Sequence, residues 1–164
     1  MKATVELNKD HFSRFLLYYM YLRPAGIGYL LVGLLALAGG IVFLVQGNKT
    51  GIFLIILAVI YYVLQPVMIR TRAKSQANDP RMTARTYYEF KEEGFDISQD
   101  GTEVLLIPWK RVKKIVSFQG LYILFFDLKR ANIIPKESFS CNTDRVDELI
   151  LKVMPRKSVK GISA

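Results

Sequence analysis

Two long, uncharged apolar runs within residues 26–69 constrain this chain most strongly. The first run covers residues 26–45 and the second covers residues 52–69, with a short segment rich in turn-forming residues between them. About 20 helical residues span the roughly 30 Å of bilayer hydrocarbon, where backbone N–H and C=O groups must pair within the chain. The pattern therefore predicts a transmembrane hairpin of two helices.

Basic residues flank this hairpin and are nearly absent from its turn, which carries only Lys49. Because positively charged flanks stay in the cytoplasm, we expect both chain ends there and the turn outside. This placement accounts for much of the net charge of +9 without invoking nucleic acid. The flanking charges are Lys9, Arg14, Arg23, Arg70, Arg72, Lys74, Arg81 and Arg85.

Two features inside the apolar runs allow interpretations other than a simple transmembrane hairpin. The sequence Ala-Leu-Ala at residues 36–38 fits a signal-peptidase site, but the apolar run continues past it to residue 45, so we expect no cleavage. Gln65 and Pro66 interrupt the second run, and the missing N–H of proline predicts a kink. A transport path is disfavoured, because two helices cannot enclose a pore without oligomerising.

The N-terminal arm, residues 1–25, combines a short strand with an interfacial helix. Residues 4–7 alternate in polarity, and residues 11–22 carry apolar side chains at helical spacing. The tyrosines of the second segment suit the headgroup region of a bilayer. We interpret His11, the single histidine, as a solvated residue of the first helical turn, with a metal or proton-handling role as the disfavoured alternative.

A stripe of small residues follows the first apolar run at intervals of seven. It contains Gly26, Gly33, Gly40 and Gly47, with Ala36 on the same face. Small residues let helix backbones approach closely in lipid, so the stripe predicts a packing face. Its partner is either the second helix of the hairpin or a second copy of the chain; chance is the alternative explanation.

The rest of the chain predicts a connector, a mainly β domain and a tail. Residues 70–85 are polar and should carry the second helix out of the membrane. Residues 86–155 read as about six short strands followed by an amphipathic helix, Thr143–Val153. Residues 156–164 are expected to be disordered. The expected strands cover residues 86–90, 95–98, 102–107, 112–118, 121–128 and 133–134.

Short motifs of this β region are similar to those of a known family. They are Tyr88-Glu89-Phe90, Gly94-Phe95-Asp96-Ile97, Ile107-Pro108-Trp109 and Ile134-Pro135-Lys136, followed by Phe139. Together with the arm and the hairpin, they resemble the YcxB-like family of small bacterial membrane proteins. The resemblance implies a pleckstrin-homology-like barrel, closed or nearly closed, plugged at one end by the final helix. It implies no activity, catalytic residue or cofactor.

The expected fold class is therefore a membrane protein with a two-helix transmembrane hairpin and a small, mainly β cytosolic domain. The densest basic cluster of that domain is Lys110, Arg111, Lys113 and Lys114. Near an anionic leaflet each such charge adds about 1 kcal/mol of attraction. With Arg70, Arg72 and Lys74, the cluster predicts contact with anionic lipid headgroups, and a solvated strand face is the alternative.

The sequence favours a membrane-tethered binding or regulatory module, and the resemblance implies that its membrane is the bacterial cytoplasmic membrane. The alternative is a membrane-embedded scaffold or subunit of a larger complex, with a membrane protein or a second copy as partner. Phosphate loops, paired histidines, C-x-x-C and a nucleophile elbow are all missing from the sequence, so we expect no enzyme, metal site or cofactor. Nucleic acid is not expected either, because the strand aromatics are needed for the core. Cys141 is read as a small residue ahead of the last helix.

Overall fold

The computed structural model describes residues 1–100, 102–127 and 130–162. Within them the chain forms two compact units. One, here called the β unit, combines Met1–Phe15 with Gln76–Ala164, and the other, the helical unit, is Leu16–Ser75. Parts of the predicted turn, strand and tail, namely Gly101, Leu128, Lys129, Ser163 and Ala164, lie outside the described residues.

The predicted hairpin forms two long antiparallel helices in the helical unit. Helix α2 is Pro24–Val45 and helix α3 is Thr50–Ala77, which continues through Pro66. Both are long and apolar enough to span a membrane. The turn between them contains Gly47 with a φ of +75°, a left-handed conformation that glycine adopts without strain. The Asn48 side chain accepts a hydrogen bond from the Thr50 N–H at 2.9 Å and caps α3.

The connector expected at residues 70–85 is largely helical. Residues 70–77 form the last two turns of α3, and Pro80–Thr83 form a short helix, α4. Asp79 separates the two helices and accepts a hydrogen bond from the Arg81 N–H at 2.9 Å. The predicted stop near residues 78–80 is therefore confirmed, and the polar residues before it belong to a helix because nothing in their sequence breaks it.

The N-terminal arm does not form a separate element. Its strand, β1, is Lys2–Val5, two residues earlier than expected, and it pairs with the strand Thr86–Phe90 far along the chain. The helix α1 is Lys9–Leu17, and a π-helical turn, Tyr18–Leu22, follows it. Pairing over such a sequence distance leaves no local signal, which is why the arm was predicted as an independent segment.

The β unit contains two four-stranded sheets with a helix after them. The first sheet has the antiparallel order β1-β2-β3-β4, and the second has the order β7-β6-β5-β8, with β8 parallel to β5. The predicted final helix is confirmed as α5, Thr143–Val153, and the Asn142 side chain caps it. The strand bounds are β2 Thr86–Phe90, β3 Gly94–Gln99, β4 Leu105–Pro108, β5 Lys114–Phe118, β6 Leu121–Phe125, β7 Ala131–Pro135 and β8 Val159–Lys160.

The structure differs from two expectations about this unit. The tail is ordered over residues 156–162, because β8 adds Val159 and Lys160 to the edge of the second sheet. The barrel is not closed: in the described part of the chain, strand pairing does not join the two sheets. Pro108 has no N–H to donate at the end of β4, and a turn separates it from β5, so the ladder stops there.

The core of the β unit lies between the sheets and under α5. Its aromatic centre is formed by Phe90, Phe95 and Trp109, with Phe139 and Tyr122 beside them. The final helix adds a buried apolar stripe at helical spacing. The stripe consists of Val146, Leu149 and Ile150.

Candidate functional site

The predicted basic cluster begins on a single 3-10 turn, Trp109–Arg111, between β4 and β5. The Val112 N–H closes the turn through a hydrogen bond of 2.9 Å to the Trp109 carbonyl. Trp109 and Val112 point into the core, whereas Lys110 and Arg111 are exposed. The turn therefore exposes two adjacent cations directly after a buried tryptophan.

Trp109 fixes the position of this turn. Its ring centroid lies 5.5 Å from that of Phe90 and 5.4 Å from that of Phe95. Its indole Nε1–H donates a hydrogen bond of 2.9 Å to the Lys91 carbonyl. A tryptophan that is 5% exposed and also hydrogen-bonded cannot move without opening the core. The prediction that Trp109 is the large core anchor is confirmed.

The second half of the cluster divides into an exposed and a half-buried lysine. Lys113 is exposed, and its N–H donates to the Phe125 carbonyl at 2.8 Å. Lys114 is the half-buried first residue of β5. The structure thus brings three exposed cations together, and we call Lys110, Arg111 and Lys113 the basic face.

The charge of the basic face is not balanced locally. Among residues 1–100, 102–127 and 130–162, no carboxylate lies within ion-pairing distance of its three side chains. Asp96 pairs with Lys91 at 2.7 Å, which raises the pKa of Lys91. Asp127 pairs with Arg130 at 3.2 Å. The face therefore carries a net positive charge that an anionic surface can neutralise.

The other predicted lipid contacts lie at the end of α3. Arg70, Arg72 and Lys74 are all exposed, whereas Ile69 and Ala73 on the same turns are buried. The helix therefore has a charged side in its last turns, after a long apolar stretch.

The predicted glycine stripe is only partly a helix-packing face. A Cβ at Gly33 would lie 2.8 Å from the Tyr62 Oη, and one at Gly40 would lie 2.9 Å from the Gly51 carbonyl oxygen. The Tyr62 hydroxyl donates a hydrogen bond of 2.8 Å to the Leu30 carbonyl. Gly33 and Gly40 therefore allow α2 and α3 to approach closely.

Other members of the stripe have different roles. Gly26 lies against the Met20 carbonyl of the preceding π-helical turn, and Gly47 belongs to the interhelical turn with no heavy atom near its missing Cβ. Ala36 is half-buried. Gly51, which lies off the stripe, packs against the backbone of Gly40. The sequence period alone could not identify Gly51, because it belongs to the partner helix.

Comparison with known proteins supports the resemblance drawn from the motifs. A family model described as YcxB-like protein matches residues 90–152. Residues 90–152, which match this model, are called the YcxB-like domain below. The match runs from the end of β2 to the end of α5, so it includes the basic face and does not include the hairpin. No curated protein and no solved structure matches the chain.

His11 is buried against this YcxB-like domain, which corrects its interpretation as a solvated residue. Its Nδ1 accepts a hydrogen bond of 3.3 Å from the Asn8 N–H, and its Nε2 lies 3.1 Å from the Glu137 Oε1. Both ring nitrogens therefore have partners, with Nε2 as the donor in the neutral ring. The histidine thus connects α1 to the turn after β7, a contact that no local sequence pattern indicates.

A second polar cluster that the sequence did not indicate joins α5 to β6. The Tyr122 hydroxyl donates a short hydrogen bond to Asp147, and the Lys136 Nζ lies 3.5 Å from the other Asp147 oxygen. The same ammonium lies 4.6 Å from the centroid of the Tyr122 ring. Burial, and then the hydrogen bond to Asp147, raise the pKa of Tyr122 far above its ordinary value. The tyrosine thus stays protonated and holds the helix on the sheet.

Across residues 1–100, 102–127 and 130–162, no three His, Cys, Asp or Glu side chains are grouped so that they could hold a metal ion. Cys141 is half-buried just before α5, as expected. The basic face is the feature of the YcxB-like domain with the clearest capacity to recognise another molecule.

Proposed function

We propose that this protein is a membrane-tethered binding module whose YcxB-like domain docks on anionic lipid headgroups through the basic face. The observation that carries this proposal is the set of three exposed cations, Lys110, Arg111 and Lys113, without a carboxylate partner in the described residues. Such charges gain most from a negatively charged surface, since no carboxylate among the described residues compensates them.

The hairpin supplies the tether. Most large apolar side chains of α2 and α3 are exposed, which distinguishes these helices from the core helices of a water-soluble domain. Exposing such an area to water costs about 25 cal/mol per Å². Lipid removes this cost, and the Tyr62 hydroxyl already has its partner in the Leu30 carbonyl. We infer that both helices span the bacterial cytoplasmic membrane.

The distribution of charge supports one orientation. Lys49 is the only basic residue of the turn, whereas Arg70, Arg72 and Lys74 follow the apolar part of α3. Under the positive-inside rule, both ends of the hairpin lie in the cytoplasm. The YcxB-like domain then faces the leaflet that carries the anionic lipids.

The expected energy of docking is modest and depends on salt. Each cation near an anionic surface contributes about 1 kcal/mol, so the basic face contributes about 3 kcal/mol. Because the hairpin already holds the domain near the surface, this energy acts on an intramolecular equilibrium and is sufficient to shift it.

Docking can be measured through Trp109, the only tryptophan of the chain, which lies next to the basic face. The full chain is reconstituted in nanodiscs that contain a phosphatidylcholine with a spin-labelled headgroup. We expect stronger quenching of Trp109 when phosphatidylglycerol is added, and weaker quenching at about 1 M salt, where the Debye length falls to about 3 Å.

Charge-matched variants separate docking at this face from general attraction. Lys110→Gln, Arg111→Gln and Lys113→Gln together should remove the effect of phosphatidylglycerol, with the fold unchanged because all three side chains are exposed. The control replaces Arg145, Arg156 and Lys157, which are also exposed, with glutamine. This variant should keep the effect of phosphatidylglycerol. Equal quenching in neutral and anionic nanodiscs, or equal loss in both triple variants, would contradict the proposal.

A further inference from the structure

The gap between the two sheets of the β unit forms an open groove of about 730 Å³. Ile97 of β3 and Leu105 and Ile107 of β4 form one wall, and Phe126, directly after β6, belongs to the other. This volume lies within the roughly 300–1,000 Å³ that small-molecule sites occupy in proteins.

The wall of the groove is apolar and partly open to solvent. Leu105 pairs directly with Ile97 across β3 and β4, so the two side chains share one face of the sheet. Leu105 is 58% exposed there, an unusual position for leucine in a strand. Leu106 is 48% exposed on the opposite face and does not line the groove. The two leucines differ mainly in the face they occupy.

Among the described residues, the rim of the groove carries one uncompensated positive charge. Arg130 is neutralised by Asp127, whose Oδ2 accepts from the Arg130 Nε at 3.2 Å. Arg111 also lines the groove, and no carboxylate of the described chain pairs with it. Lys110 precedes Arg111 on the same turn but does not line the groove. An apolar wall beside a free guanidinium complements a ligand with an acyl chain and an anionic head.

We propose that this groove binds a single anionic lipid, with its acyl chain on Ile97, Leu105, Ile107 and Phe126 and its anionic head at Arg111. This inference rests on the proposed function, in which the domain docks on anionic lipid headgroups. It adds that the acyl chain of one such lipid enters the groove. The guanidinium binds a carboxylate or phosphate through paired N–H donors, which Lys110 cannot reproduce. The acyl chain covers apolar protein surface that water otherwise contacts.

The single tryptophan reports occupancy of the groove directly. The Trp109 ring lies 5.4 Å from that of Phe95, which lies 6.4 Å from that of Phe126 in the groove wall. The probe is stearate with a doxyl spin label in its chain, added to the full-length protein in neutral phosphatidylcholine nanodiscs at about pH 9, well above the ordinary carboxyl pKa. We expect saturable quenching of Trp109, and much weaker quenching by the methyl ester of the same probe, which has no charge.

Two matched pairs of variants place the ligand in the groove. Arg111→Gln should raise the half-quenching concentration roughly tenfold, whereas Lys110→Gln should leave it nearly unchanged. Leu105→Ser should raise it roughly fivefold, whereas Leu106→Ser should not. All four side chains are exposed, so the fold should survive each change.

The outcomes also separate this inference from the docking of the domain on a bilayer. Docking on anionic nanodiscs should weaken similarly in Lys110→Gln and Arg111→Gln, whereas groove binding should weaken only in Arg111→Gln of these two variants. Equal effects within either pair, equal quenching by the methyl ester, or no saturable quenching would overturn the groove proposal while leaving docking intact. Groove binding that persists without any effect of phosphatidylglycerol would instead contradict docking.

Discussion

Replacing Trp109 with alanine should lower the free energy of unfolding of the YcxB-like domain by about 3–5 kcal/mol. The side chain is almost fully buried, contacts the rings of Phe90 and Phe95, and donates a hydrogen bond to the Lys91 carbonyl. Alanine would leave a large cavity and an unpaired carbonyl beside it. Pulse proteolysis of the full chain in urea and neutral detergent measures the change, since the variant has no tryptophan fluorescence.

Two further variants divide this effect into its parts. Trp109→Phe keeps an aromatic ring but loses the indole N–H, so we expect a loss of about 1–3 kcal/mol. Tyr87→Ala removes an exposed aromatic side chain from β2 and should cost less than about 1 kcal/mol. A loss for Trp109→Ala no larger than that for Tyr87→Ala would show that the turn is not fixed by its tryptophan.

Replacing Gly33 and Gly40 together with leucine should separate helices α2 and α3. Added side chains would collide with the Tyr62 ring and with the Gly51 carbonyl. Overpacking of this kind costs about 1–3 kcal/mol at each site. Titration with SDS in mild detergent measures the effect in a Cys141→Ser background. Helix separation is followed by energy transfer between dyes on cysteines introduced at Leu31 and Val63, both of which are exposed.

The same helix offers a matched control for this experiment. Gly28 and Gly39 also lie in α2, and a Cβ at either position would meet no heavy atom within 4 Å. Gly28→Leu with Gly39→Leu therefore adds equal bulk and equal hydrophobicity without a collision. If both double variants separate at the same SDS fraction, the close approach of the helices at Gly33 and Gly40 does not stabilise the hairpin.

The sequence predicted those elements whose signal is local. The apolar runs set the two long helices, the polarity pattern located β2 and α5, and the Asn-Asp-Pro sequence located the end of α3. Pairings between distant segments were not predictable in the same way. The pairing of β1 with β2 and the parallel addition of β8 depend on contacts that leave no period in the sequence.

In the candidate site, too, local features are predictable from the sequence and contacts between distant segments are not. The cluster of Lys110, Arg111 and Lys113 is visible in the sequence because its members lie within four residues, on and directly after one short turn. The groove was not visible, because its walls come from β3, β4 and the segment after β6 and meet only through tertiary packing. The burial of His11 is not visible in the sequence either, because its partner, Glu137, is far away in the chain.

The location of the basic face relative to the membrane tests the whole account. In a Cys141→Ser background, single cysteines are placed at Lys49 and at Lys110, both of which are exposed. Spheroplasts are then treated with a membrane-impermeant maleimide. We expect the cysteine at position 49 to be labelled in intact spheroplasts and the one at position 110 to be labelled only after lysis. Labelling of position 110 in intact spheroplasts, or equal labelling of both positions, would contradict a spanning hairpin with its YcxB-like domain on the cytoplasmic leaflet.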